Sequence, residues 1–151
     1  MFKKLIHAMK FQRRRAYARE FGILLAETVP YLPEDTLVVS VPTASSRIRV
    51  RGYDQAALIA QSFARIRNLQ YLRALVRTLQ VDQIGKNRTL RIKQMASATE
   101  LSTQVSLKGK SVLLVDDVLT TGASIEASAR LLRTHGVKHV DAVVVARHLL
   151  S

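Results

Sequence analysis

Apolar and polar residues follow two rhythms along this chain. Leu5, Met9 and Phe11, then Phe21, Leu24 and Leu25, recur at helical spacing among lysines and arginines, which predicts one or two amphipathic helices over residues 3–29. Pro30 and Pro33 end that segment in a turn. Residues 37–41 (LVVSV) form a short β-branched run read as a buried strand, stopped by Pro42. A polar loop follows over residues 43–54, with Arg47, Arg49 and Arg51 at alternate positions and Gly52 giving backbone freedom. Asp54 is the expected N-cap of a helix running to about Asn68, with Ala56, Ile59, Ala60 and Phe63 as its apolar stripe.

The pattern is less decided further on. Leu72, Leu75, Val76 and Leu79 suit a helix, and a short strand near Leu75–Leu79 fits as well. Residues 82–99 are polar and basic and read as a mobile loop or helical arm, and residues 103–105 as one more strand. A strand is expected over residues 111–115, a helix over 124–134 with Ile125, Ala129 and Leu132 on one face, and a last strand over 140–146. Gly136 is placed to stop the helix. Strands alternating with helices predict an α/β fold with a mainly parallel sheet flanked by helices. The length of 151 residues suits one domain, with an N-terminal helical segment (1–30) and an α/β core (34–148).

Charge changes this picture. The formal net charge is +13, and residues 1–95 hold 18 Lys/Arg against 6 Asp/Glu, while residues 96–151 hold 6 against 5. That asymmetry points to a polyanion partner or to an anion site that gathers arginines, with a solvated basic surface as the plain alternative. There is no cysteine, hence no disulfide and no thiolate metal site. No apolar run approaches the ~20 residues of a membrane span, and the N-terminus lacks a signal-peptide core, so the expected location is the cytoplasm.

The chemistry concentrates in VLLVDDVLTTGAS, residues 112–124. Four apolar residues lead to Asp116 and Asp117, and Thr120, Thr121, Gly122, Ala123 and Ser124 then open a helix. In a parallel sheet, ligands bind at the carboxyl ends of the strands. A helix N-terminus with hydroxyls and a glycine favours phosphate. Acids beside a phosphate cradle make sense when they face sugar hydroxyls or a Mg²⁺ ion. The pattern thus describes a ribose 5-phosphate site. A phosphoacceptor receiver domain fails on spacing, because only 34 residues follow Asp117. No GxxxxGK[ST] loop is present. The four histidines fall at expected helix ends and edges, so no general base is visible and no catalytic residue is assigned.

VLLVDDVLTTGAS resembles the PRPP-binding signature of type I phosphoribosyltransferases. VPTASSRIRVRGYDQA and QIGKNRTLRIK extend the resemblance to the ComF competence-protein family, over roughly residues 5–147. Against that family's pattern, Tyr53 stands for Phe, Asp54 for Asn, and Leu90, Gln94 and Thr99 are atypical. The four-cysteine zinc ribbon often found there has no counterpart among these residues, and no protein-bound structural metal is expected. Thr120 stands where several purine-salvage relatives carry a catalytic aspartate.

The resemblance implies a type I phosphoribosyltransferase-like Rossmann variant that binds PRPP with Mg²⁺ and displaces pyrophosphate onto an acceptor it does not identify. Thr120 to Ser124 would take the 5-phosphate, and Asp116 and Asp117 the ribose hydroxyls, directly or through metal. Thr43, Ala44 and Ser45, with Arg47, Arg49 and Arg51, would form the pyrophosphate loop. Arg88, Arg91 and Lys93 would close over the leaving group from the flexible segment. The alternative is a non-catalytic module of this fold that binds single-stranded nucleic acid or a competence partner. Apolar helix faces near residues 5–29 give a homodimer as a further expectation.

Overall fold

A computed structural model describes residues 16–78, 98–102 and 104–147. Its elements are α1 (Ala16–Thr28), β1 (Leu37–Ser40), α2 (Ser45–Arg51), α3 (Gln55–Ile66), β2 (Gln70–Tyr71), β3 (Leu75–Thr78), β4 (Ala98–Leu101), β5 (Ser111–Leu119), α4 (Ala123–Thr134) and β6 (His139–Arg147). Four strands form a parallel sheet in the order β2-β1-β5-β6, and β3 and β4 form a separate antiparallel ribbon.

The two-residue period of the central strands divides the core between the faces of the sheet. Val38, Leu113 and Val115 face one way, onto Phe21 and Leu25 of α1 and Ile59 and Phe63 of α3. Leu37, Val39, Val112 and Leu114 face the other way, onto Leu132 of α4 and Leu75, Leu107 and Val137. Strands covered on both faces need continuous apolar sequence, which LVVS and VLLV supply.

Helix ends follow local chemistry. Asp54 caps α3 by accepting from the Ala57 N–H at 3.2 Å, and Ala56, Ile59, Ala60 and Phe63 are fully buried as the stripe requires. Gly136 stops α4 at a φ of 81°. Its N–H reaches the Arg133 carbonyl and that of Val137 reaches the Leu132 carbonyl, the paired bonds of a Schellman turn. At the end of α1 the Arg67 guanidinium donates to the carbonyls of Ala26, Val29 and Pro30 at 3.0, 2.8 and 2.9 Å. A cation there also suits the negative end of the helix dipole.

Four expectations are corrected. Residues 45–51 form a helix rather than a loop, so Arg47 and Arg51 lie one turn apart on α2 and Arg49 lies off that line. Of the two readings left open near residues 75–79 the strand is the one that forms, because Leu75–Thr78 pairs with Ala98–Leu101, and Gln70–Tyr71 adds a second short strand beside β1. Ala98 and Thr99 belong to β4 and not to a mobile loop, and Gln104 and Val105, expected in a strand, are not in one. β5 runs on to Leu119, four residues past the expected end, because β6 continues to pair with it. The expected helix over residues 3–15 and the segment 82–97 lie outside the described residues.

Candidate functional site

The chain leaves β1 toward β2 on one side of the sheet and later returns to β5 on the other. The crevice between the carboxyl ends of β1 and β5 is thus the point where strand order reverses, where open α/β sheets bind ligands. Here β1 stops before Pro42, which has no N–H for a ladder, and its register with β5 ends at Ser40 opposite Val115. From Asp116 onward β5 pairs, among the described residues, with β6 alone. The two acids are therefore inside a strand, at the position where one side of it falls open.

A cavity of about 400 Å³ occupies that opening. Pro42, Thr43 and Ala44 bound it on one side, Asp116 and Asp117 form the floor, and Thr120, Gly122, Ala123 and Ser124 close the other side. Gly122 precedes α4 at a φ of 81°, a backbone that a side chain would strain. The cavity thus joins a helix N-terminus, two carboxylates and a second loop.

Two arginines reach this space. Arg51, at the end of α2, lies 3.5 Å from the Asp117 carboxylate and donates to the Gln55 amide oxygen at 3.3 Å. Arg77 lines the cavity from the antiparallel ribbon. Sequence reading missed Arg77, although the period of two gave a signal: it shares a strand face with Leu75, which is buried in the core. A charged residue on the inward side of a short strand marks a site.

Asp116 is the electrically unusual group. Burial first, and then the adjacent Asp117 charge, push its carboxyl up to about 7 from an ordinary value of 3.8. A more distant contribution from Asp54 acts the same way, whereas the Asp117 N–H donated to Asp116 Oδ1 at 2.7 Å acts oppositely and loses. Such a carboxyl can hold or release a proton near neutrality.

Several expected residues stand elsewhere. The Thr121 hydroxyl accepts from the Ala123 N–H at 3.4 Å and helps shape the loop, but does not border the cavity. Arg49 is exposed and also lies off the cavity. The side chains of Ser45 and Arg47, and all of Arg88, Arg91 and Lys93, lie outside what is described. His135 and His139 are exposed, in keeping with the surface role expected of them. Among the described residues no helix is long and apolar enough to cross a membrane, and no three His, Cys, Asp or Glu side chains are grouped to hold a metal.

Comparison with known proteins bears on family and fold. A family model described as a phosphoribosyl transferase domain matches residues 51–149. The chain is 31% identical over 153 aligned positions to the DNA utilization protein YhgH of Escherichia coli K12, covering 96% of this chain and 66% of that protein. It is 29% identical to competence protein F of Haemophilus influenzae, covering 95% and 66% respectively. The chain thus spans just under two thirds of the length of these relatives. Among solved structures, the Bacillus subtilis glutamine PRPP amidotransferase superposes with a TM-score of 0.60 at 19% identity, covering 87% of this chain and 26% of that one. A purine phosphoribosyltransferase from Pyrococcus horikoshii does so with a TM-score of 0.55 at 16% identity, covering 86% and 81%. At such identities the likeness shows the fold.

Proposed function

Because this chain belongs to the phosphoribosyl transferase domain family, with a ComF-like type I fold, we propose that its cavity binds PRPP with Mg²⁺ and transfers the phosphoribosyl group to an acceptor. The observation that carries this reading is the convergence of the 42–44 loop, the Asp116–Asp117 pair and the start of α4 on one space of about 400 Å³. The N–H groups after Gly122, with the Thr120 and Ser124 hydroxyls, suit a 5-phosphate. Asp116 and Asp117 suit the ribose diol. Arg51 and Arg77 suit a pyrophosphate on the opposite side.

Two carboxylates with no third His, Cys, Asp or Glu grouped beside them among the described residues fit a Mg²⁺ carried in by substrate phosphates better than a resident ion. When bound, that ion would neutralise charge on the leaving group. In the transfer, the bond from ribose C1 to the pyrophosphate oxygen breaks and its electron pair leaves with pyrophosphate. The acceptor supplies a lone pair to C1 and gives up a proton. Asp116, with its raised carboxyl, is positioned to hold charge or a proton beside the sugar. The chain's role is to orient the sugar, screen the leaving group and keep the two phosphate sites apart.

The relatives named for DNA utilization and competence support a link between such an activity and DNA uptake. The reading takes the cytoplasm as the compartment. The basic first part of the chain supports a second reading, in which single-stranded DNA binds directly. That binding would weaken steeply with salt, as counterion release demands.

Thermal unfolding with MgCl₂ and PRPP separates these readings. Ligand at 100 times its dissociation constant adds about 2.7 kcal/mol, or roughly 5–10 °C for a domain of this size. The wild type should show that shift and Asp117→Asn should lose most of it. No shift in the wild type, combined with salt-sensitive binding of single-stranded DNA, would replace the first reading with the second.

A further inference from the structure

Asp54 has more to do than start a helix. Its Oδ1 accepts from the Ala57 N–H at 3.2 Å and also from the Thr43 hydroxyl at 3.0 Å. Thr43 lines the cavity just before α2, and Asp54 lies past the Gly52 cap of α2, at the start of α3. One carboxylate oxygen therefore joins the entry and the exit of the excursion that carries Arg47, Arg49 and Arg51. The neighbouring Gln55, itself buried, accepts from Arg51 at 3.3 Å and secures the far end of the same helix. A helix of seven residues is too short to hold its place by propensity alone, so its position must come from anchors at its ends.

We propose that Asp54 is a positioning residue, a clasp that closes the segment 43–54 and thereby sets where Arg51 meets the cavity. The clasp rests on contacts within the chain, and its link to pyrophosphate rests on the function proposed above. The position tolerates an amide in its bonding, because an Asn Oδ1 accepts the same two hydrogen bonds. What the clasp requires is the acceptor and the hydroxyl opposite it.

The test has two parts. Hydrogen exchange is followed in unliganded wild type, Asp54→Ala, Asp54→Asn and Thr43→Val, at the amides of Ile48 and Gly52, which bond within and at the end of α2. Asp54→Ala and Thr43→Val should speed exchange there by about tenfold or more, while β5 amides stay within about twofold. Asp54→Asn should remain close to wild type. The same four proteins are titrated calorimetrically with magnesium pyrophosphate and, separately, with ribose 5-phosphate. The Ala and Val variants should lose about tenfold in affinity for pyrophosphate and little for ribose 5-phosphate.

Unchanged α2 exchange in Asp54→Ala overturns the clasp. So does equal acceleration in α2 and β5, which would mean general loosening. Equal loss of both probes would overturn its link to the pyrophosphate side. If the wild type binds neither probe, the proposed function falls, and the exchange data still decide the clasp.

Discussion

Asp116→Asn should stabilise the unliganded protein, and by an amount that grows with pH. In the folded chain the carboxyl is pushed up to about 7, chiefly by burial and then by Asp117. In the unfolded chain it returns to about 3.9. The folded state therefore holds the proton more tightly, so the native state is favoured while the group is protonated. Stability from this group is complete below about pH 4, falls by roughly 1.4 kcal/mol per pH unit up to about pH 7, and is level above that. The full loss is about 4 kcal/mol at most, and structural relaxation lowers it toward ~2 kcal/mol. Asparagine does not titrate, and its amide oxygen can still accept the Asp117 N–H that Asp116 accepts at 2.7 Å. Urea unfolding of both proteins at pH 5, 6, 7 and 7.5 measures the difference. It should widen in favour of Asn by about 2 kcal/mol across that range, or roughly 4–8 °C in Tm. A difference that is flat or narrows with rising pH would refute the account of Asp116 as a buried, repelled carboxyl. The same variant should bind PRPP more weakly, because the charge that costs stability is the charge offered to the ligand.

Other perturbations test the frame around the site. Gly22→Ala places a Cβ against the Ser62 hydroxyl where α1 crosses α3, so chemical denaturation should show a loss of about 1–3 kcal/mol from overpacking. Arg67→Ala removes three hydrogen bonds to the carbonyls of Ala26, Val29 and Pro30 and should cost about 2–3 kcal/mol in the same assay, with Arg67→Lys recovering only part. Gly122→Ala meets only the Leu119 side chain at 3.6 Å, so its cost should be the left-handed backbone alone, about 1 kcal/mol by urea unfolding. A much larger loss would mean the turn is held more tightly than its contacts show.

The extent to which the site was legible in the sequence follows from how local each feature is. The stripe of α3, its Asp54 cap, the Gly136 stop and the apolar run before Asp116 depend on neighbours within a few residues, so sequence alone determined them. The turn at Gly122 that opens α4 was legible for the same reason, since it acts through adjacent backbone. The opening at Asp116 was decided only in three dimensions: β5 continues because β6 pairs with it, and a space forms because β1 stops at Ser40 on its other side. Arg51 and Arg49 look equivalent as alternate residues of a loop, but a helical turn sends one to Asp117 and leaves the other exposed. Arg77 joins the site because Leu75–Thr78 finds its partner at Ala98–Leu101, about twenty residues along the chain. Sequence by itself set the two central strands, α3 and α4, while residues 45–51 and 70–78 took a form it had misread or left open. Tertiary structure alone decided which charges would face one another, because that depends on pairings between residues far apart in the chain.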